Sequence, residues 1–130
     1  MAWKYDKGEI PAPVADLVVT NPVTGNEQPV PGCLVDTGSD ACWLRPSDIG
    51  SLGVTDNTTG LASVSGGLPT LYRRHFLTLR VWGRTFTDIG VMELAPESAI
   101  GPIVGRDIIN KLELKLSGPD RGYEVADMPD

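Results

Sequence analysis

Short apolar stretches alternate with turn-forming residues along most of the chain, a pattern that predicts a protein built of β-strands. Residues 14–20 are predicted as a strand, and Asn and Gly within residues 21–26 indicate a hairpin turn. Residues 30–35 are then predicted as the returning strand, which delivers Asp36 at its end.

A second strand pair is predicted in the middle of the chain. Apolar residues occupy alternate positions from Leu77 to Val81, as they do in a half-buried strand. Residues 82–84 contain Gly83 and are predicted to turn the chain, so that residues 85–94 run back beside the first strand.

The periodicity changes after Gly105. The apolar positions that follow fall on one helical face, which predicts a short helix over residues 106–111. Alternating leucines in residues 112–116 then predict the final strand. Residues 117–130 are acidic and contain Gly and Pro, so we expect a tail that is mobile in part, with a strand over residues 121–125 as the alternative.

The chain length of 130 residues indicates one domain, assigned to residues 1–116 with the tail after it. A net charge of −6 argues against binding to nucleic acid or anionic membranes, which require clustered Lys and Arg. Residues 1–9 lack the apolar segment of a signal peptide. Cys33, Cys42 and the single His75 form neither a disulfide framework nor a metal site, so a cytoplasmic protein with reduced thiols is expected.

Five residues carry the candidate chemistry, namely Asp36-Thr37-Gly38-Ser39-Asp40. They follow an apolar strand, which places the Asp36 carboxylate at a strand end beside a tight turn. An ordinary turn is the simpler interpretation, because Asp, Thr, Gly and Ser all favour turns. The motif occurs once, whereas hydrolysis by paired aspartates needs two carboxylates that share a proton.

A second block, Ile103-Val104-Gly105-Arg106-Asp107, lies near the C-terminal end. In this order and spacing the two blocks resemble those of the retropepsins, the single-domain aspartic proteases of retroviral type. The resemblance extends over about residues 12 to 116, and the alternative is an unrelated β-domain with a chance match. It implies an all-β fold, a closed retropepsin-type barrel with one short C-terminal helix.

The resemblance also implies a symmetric homodimer that cleaves a polypeptide substrate without a metal ion or an organic cofactor. One Asp36 from each subunit would form the catalytic pair. A peptide-binding or scaffold dimer that keeps the fold but cleaves nothing is the alternative from another functional class. A precursor fragment or a fusion-derived domain is a third interpretation.

The loop residues next to Asp36 receive supporting roles. Gly38 allows a close turn, and the resemblance implies that the Thr37 hydroxyl bonds to the backbone of the partner loop. The Ser39 hydroxyl either donates to the ionised carboxylate or makes only a local turn hydrogen bond, and the sequence leaves both open.

The Gly-Arg block is expected to support this loop. In the family, the Arg of that block bonds the acidic residue four places after the catalytic Asp, which implies that Arg106, after Gly105, pairs with Asp40. The alternative is two solvated charges.

Four residues are expected to bind substrate side chains. Leu34, Ile100 and Ile103 match apolar subsite positions of the family. Trp43 stands where pepsin-like enzymes carry Trp, so it is expected to line a subsite, with plain core packing as the alternative.

A flap is the last predicted feature. Ser65, Gly66 and Gly67 are expected to form its tip, because Gly permits hinge motion and close approach to substrate backbone. Residues 56–60 are the alternative tip, and a plain hairpin is the simplest interpretation.

Overall fold

The computed structural model describes residues 2–54, 58–62 and 67–128, most of which lie in strands. These residues contain ten strands and two short helices. In chain order they are β1 (Ala2–Lys4), β2 (Val14–Thr20), β3 (Glu27–Val35), β4 (Trp43–Leu44), α1 (Pro46–Gly50), β5 (Thr58–Ala62), β6 (Thr70–Val81), β7 (Arg84–Glu93), β8 (Ile103–Val104), α2 (Arg106–Ile109), β9 (Leu112–Ser117) and β10 (Gly122–Asp127). No helix within the described ranges is long and apolar enough to cross a membrane.

The first hairpin forms where the alternating residues predict it. Ala15, Leu17 and Val19 of β2 are buried, and the turn closes with the Asn21 N–H donating to the carbonyl of Asn26 at 2.9 Å. The returning strand β3 begins earlier than residue 30, since polar residues next to the turn also pair with β2. The apolar pattern could not mark them because they are not buried.

The second hairpin also confirms its prediction. Leu77, Leu79 and Val81 of β6 are buried, and Trp82 and Gly83 make the turn with positive φ angles of 54° and 72°. Strand β7 pairs antiparallel with β6 along most of its length.

A seven-stranded sheet has the order β2-β3-β8-β4-β7-β6-β5, and β2 also pairs with β6. Most neighbours are antiparallel, but β3–β8 and β4–β7 are parallel. Strand β8 pairs with the end of β3 through Leu34 with Ile103 and Val35 with Val104. This pairing brings the second sequence block directly beside Asp36, whose N–H donates to the carbonyl of Val104 at 3.0 Å.

Two groups of buried apolar residues stabilise this sheet. The larger group fills the space between the hairpins and α2, and it includes Leu17, Leu44, Leu79 and Ile108. The smaller group consists of Trp43, Met92, Leu94 and Ile103. It lies under the groove described below, so the floor of that groove is apolar.

A separate sheet joins the two ends of the chain in the order β1-β10-β9. Tyr123 of β10 is 1% exposed, and its hydroxyl donates to the carbonyl of Val14 while it accepts from the indole N–H of Trp82. Burial raises the pKa of Tyr123. The terminal sheet is therefore anchored to the larger one through an aromatic residue.

Three expectations about the smaller elements need correction. The prediction that β9 is the final strand was wrong, and the alternative of a strand over residues 121–125 is confirmed, because β10 pairs with β9 and β1. The division of the chain at residue 116 itself stays a prediction. The expectation of a single helix was also wrong, since Pro46 at the first turn starts α1. The predicted helix over residues 106–111 ends at Ile109.

Candidate active site

Asp36 lies at the start of a tight loop that folds around its own carboxylate. The backbone N–H of Gly38 donates to Oδ1 of Asp36 at 2.8 Å, and the N–H of Ser39 donates to the Asp36 carbonyl at 3.2 Å. A Cβ atom at Gly38 would lie 3.1 Å from that Oδ1, a tight contact that glycine avoids. The half-buried carboxylate is thus held by backbone on one side and remains open on the other.

The structure decides between the two roles left open for Ser39. Its hydroxyl donates to the carbonyl of Ala41 at 2.7 Å, which is a local turn hydrogen bond. The proposed donation to the Asp36 carboxylate is therefore wrong in this conformation. The local hydrogen bond is favoured because a serine hydroxyl in a turn easily reaches a carbonyl two residues on.

Gly105 is explained by contact with the loop. Its φ is −101°, so backbone conformation does not require glycine there. A Cβ atom, however, would lie 2.2 Å from the carbonyl oxygen of Ala41 and 2.9 Å from that of Ser39. The next residue, Arg106, donates its N–H to the Ser39 carbonyl at 2.8 Å. At Gly105 the loop and the start of α2 are therefore in direct backbone contact.

Asp40 and Arg106 form the ion pair that the resemblance implied. Their side chains are 86% and 46% exposed in the single chain, so water screens the attraction. A surface pair of this kind adds at most about 1 kcal/mol to the stability of the subunit. Its role in fixing the loop stays a prediction.

Asp107 links α2 to the end of the Asp36 loop through two hydrogen bonds, a role that was not predicted from the sequence. Its carboxylate accepts from the N–H of Cys42 at 3.2 Å and from the Cys42 thiol at 3.1 Å. Burial, and then the charge of Asp107, raise the pKa of Cys42 well above its ordinary value. The thiol stays protonated and serves as a donor. In the sequence, the one indication of this contact is that Asp107 ends the Ile103–Asp107 block.

A groove of about 900 Å³ opens above the Asp36 loop. Several residues predicted from the sequence border it, both from the loop and from the apolar subsite set: Leu34, Asp36, Gly38, Ser39, Asp40, Trp43, Ile100 and Ile103. Thr37 is exposed on the loop but does not border the groove. Gly105 and Arg106 do not border it either, but they contact the backbone of the Asp36 loop. That these residues bind substrate stays a prediction.

Trp43 combines the two roles that were weighed for it. It borders the groove, yet it is only 7% exposed and belongs to the smaller core group. Its ring meets that of Tyr72 edge to face, with centroids 5.0 Å apart. Trp43 therefore ties β4 to β6 beneath the groove.

The predicted flap tip falls partly outside the described residues. Ser65 and Gly66 lie outside them, while Gly67 is exposed and not in a strand. Strands β5 and β6 pair antiparallel up to Ala62 and Thr70, so the tip falls in the segment that joins them. The alternative tip over residues 56–60 was wrong for residues 58–60, which are in β5; residues 56 and 57 lie outside the described part.

The groove also includes residues that the sequence analysis missed. Gly60, Arg74, Gly90 and Met92 border it from β5, β6 and β7. No local signal marks them, because they become neighbours only when the three strands pair in register. Arg74 is the one positively charged side chain among the described residues that border the groove.

Comparisons with known proteins show a family match and a similar solved structure. The family model described as retroviral aspartyl protease matches residues 13–117. The solved structure titled EIAV protease complexed with the inhibitor HBY-793 aligns with a TM-score of 0.51 and 20% sequence identity, over 83% of this chain and 92% of that chain. At this identity the structural likeness concerns the fold alone. No curated protein matches the chain.

Proposed function

The chain belongs to the retroviral aspartyl protease family, and we propose that it is an aspartic endopeptidase whose active form is a homodimer. Each subunit would contribute one Asp36 to a shared catalytic pair. The proposal follows from a count: the chain holds a single Asp-Thr-Gly motif, and the chemistry needs two carboxylates.

The observation that carries this proposal is the state of the acidic residues at the groove. Among the described residues, Asp36 and Asp40 are the carboxylates that border it. Asp40 is paired with Arg106, whereas the backbone N–H of Gly38 is the one donor to the Asp36 carboxylate in the described part of the chain. This supports Asp36 as the carboxylate that acts on a bound substrate, with its counterpart supplied by a second chain.

The two Asp36 carboxylates would act as general base and general acid. Two carboxylates in close contact cannot both ionise cheaply, so the pair holds one proton. The ionised carboxylate removes a proton from a water molecule, which attacks the scissile carbonyl carbon, while the protonated one donates to the carbonyl oxygen. The proton then passes to the leaving amine as the tetrahedral intermediate collapses. The pair titrates as one unit.

The shape of the site suits an extended peptide. The apolar floor formed by Trp43, Met92 and Ile103 favours apolar side chains, and main-chain groups of the substrate would pair along the groove. We propose that the β5–β6 hairpin is the flap that covers the substrate. The extra pairing of β2 with β6 supports a closed barrel as the frame of each subunit.

A peptide-binding dimer that does not cleave is the second candidate. It would use the same groove and the same pairing of subunits. The groove's Asp36 loop argues against it, because apolar binding alone does not require a carboxylate held at 2.8 Å by a glycine N–H.

The test is cleavage of an unfolded protein mixture, measured for the parent and for Asp36→Asn over a range of protein concentrations. The parent should cleave, and its specific activity should fall on dilution as the dimer dissociates. Asp36→Asn should lose at least about 10⁴-fold in rate, because Asn keeps the shape but not the shared proton.

Asp88→Asn is the matched control, since Asp88 is exposed, lies outside the groove and has a φ of 57° that Asn also tolerates. Parent-like cleavage by Asp36→Asn would refute the catalytic role. A monomer that stays fully active at the lowest concentration would refute the shared site.

A further inference from the structure

Arg74 borders the groove, but the proposed catalytic mechanism gives it no role. In the β5-β6-β7 register it lies opposite Thr58 on one side and Met92 on the other. Because side chains two residues apart share a face of a strand, Gly60 and Gly90 lie on this same face. All of these strands therefore present one surface to the groove, with Arg74 at its centre.

The neighbouring strands make room for the long side chain. A Cβ atom at Gly90 would lie 3.0 Å from Cδ of Arg74, and one at Gly60 would lie 3.8 Å from its Nη1 and 2.9 Å from Cε of Met92. None of the positive φ angles in the described chain belongs to Gly60 or Gly90, so space is the reason for glycine at both positions.

The guanidinium is held in place but keeps most of its donors. Its Nε donates to the Thr58 hydroxyl at 3.1 Å, and its centre lies 5.3 Å from the ring centroid of Phe76. The ion pairs of the described residues do not include Arg74. Its two terminal nitrogens carry four N–H groups that have no carboxylate partner within residues 2–54, 58–62 and 67–128, in the fork geometry that binds carboxylates.

We propose that Arg74 determines substrate specificity by binding a Glu or Asp side chain of the peptide in the groove. The inference rests on the proposed function for the identity of the ligand. The rest of the groove makes this contact selective, since its floor is apolar and its other charged residues, Asp36 and Asp40, are acidic. Elsewhere in the groove, an acidic side chain would meet apolar surface or a like charge. At Arg74 it would meet the opposite charge.

The experiment exposes a proteome-derived peptide library to the parent and to Arg74→Gln, Arg74→Glu and Arg74→Lys. Cleaved peptides should carry an excess of Glu and Asp at one position. For a matched pair of peptides with Glu or Gln there, kcat/KM should favour Glu about tenfold. The Glu-to-Gln ratio of kcat/KM should fall to about one in Arg74→Gln and be kept in part by Arg74→Lys. Arg74→Glu should instead prefer peptides with Lys at that position.

Arg73→Gln is the control, because it removes the same charge one residue away on the opposite face of β6. Arg73 is 68% exposed and lies 3.9 Å from Glu93, outside the groove. The Glu-to-Gln ratio of this variant should equal that of the parent. Equal ratios in the parent and in Arg74→Gln would overturn the inference.

A binding measurement separates this inference from the proposed function. The same library is passed over immobilised Asp36→Asn protein, alone and combined with Arg74→Gln. If the parent cleaves nothing but retained peptides are rich in acidic residues only when Arg74 is present, the catalytic proposal fails and the role of Arg74 stands. If the parent cleaves without an acidic preference, the protease stands and the role of Arg74 fails. A library from which nothing is cut or retained would overturn both.

Discussion

Gly105→Ala adds only one methyl group, but it should destabilise this protein strongly. The new methyl carbon would lie 2.2 Å from the carbonyl oxygen of Ala41, while real Cβ contacts are essentially never under 3.0 Å. The atoms in the way are backbone atoms, which cannot rotate aside as a flexible side chain would. The Asp36 loop and the start of α2 must therefore separate by about 0.8 Å.

The cost follows from what this separation breaks. Overpacking a tight contact typically costs about 1–3 kcal/mol. The hydrogen bond from the Arg106 N–H to the Ser39 carbonyl spans the same contact, and its loss adds about 1 kcal/mol. We expect the free energy of unfolding to fall by about 2–4 kcal/mol, equivalent to a decrease in Tm of roughly 10 °C for a chain of this size.

Urea unfolding followed by tryptophan fluorescence measures this effect, at one fixed protein concentration because dimerisation would couple to stability. Gly118→Ala is the control. A Cβ atom at Gly118 would have no heavy atom of the described residues within 4 Å, apart from Gly118 and its chain neighbours, and the φ of Gly118 is not positive. It should change stability by less than about 0.5 kcal/mol. Equal stabilities of the two variants would refute the claim that Gly105 is required by close contact.

Three further predictions concern the loop and the core. Arg106→Ala should lower the unfolding free energy of the subunit at low protein concentration by less than about 1 kcal/mol, because its pair with Asp40 is exposed; a loss above about 3 kcal/mol would contradict that account. Ser39→Ala should leave the acidic limb of the pH–rate profile in place, since its hydroxyl bonds Ala41 rather than Asp36, and a shifted limb would show a direct bond to the catalytic pair. Burial raises the pKa of Cys33 from 9.0 to about 12, so the folded state favours the protonated thiol and this part of the stability is lost as pH rises between those values. In Cys33→Ala the decline of stability over that range should be shallower by up to about 1.4 kcal/mol per pH unit, and an unchanged slope in urea titrations would refute the assignment.

Local sequence sufficed wherever a feature depends on neighbours along the chain. The alternation in β2 and β6 and the turn at Gly83 were predictable because strand period and turn chemistry are local properties. The order of the Asp-Thr-Gly and Gly-Arg blocks was enough to indicate the family, which the match over residues 13–117 shows.

The hydrogen-bond partners of individual side chains were harder to predict from the sequence. The sequence left Ser39 with two possible acceptors, and only the folded loop selects the Ala41 carbonyl. It implied a role for Arg106 but gave none to Asp107, whose carboxylate bonds both the N–H and the thiol of Cys42. The contact between Asp107 and Cys42 joins residues far apart in the chain, and no periodicity encodes such a distance.

Tertiary structure alone decided the make-up of the groove, and it decided between the tail and the strand that the sequence left open at residues 121–125. Arg74 faces Gly60 and Gly90 because three strands pair in one register, and a shift by one residue would turn every side chain to the other face. Likewise, β10 exists because β9 and β1 offer it backbone partners and Tyr123 finds a buried site. A strand's hydrogen bonds and its burial come from its neighbours, so composition determines that a segment can pair and the assembled sheet determines whether it does.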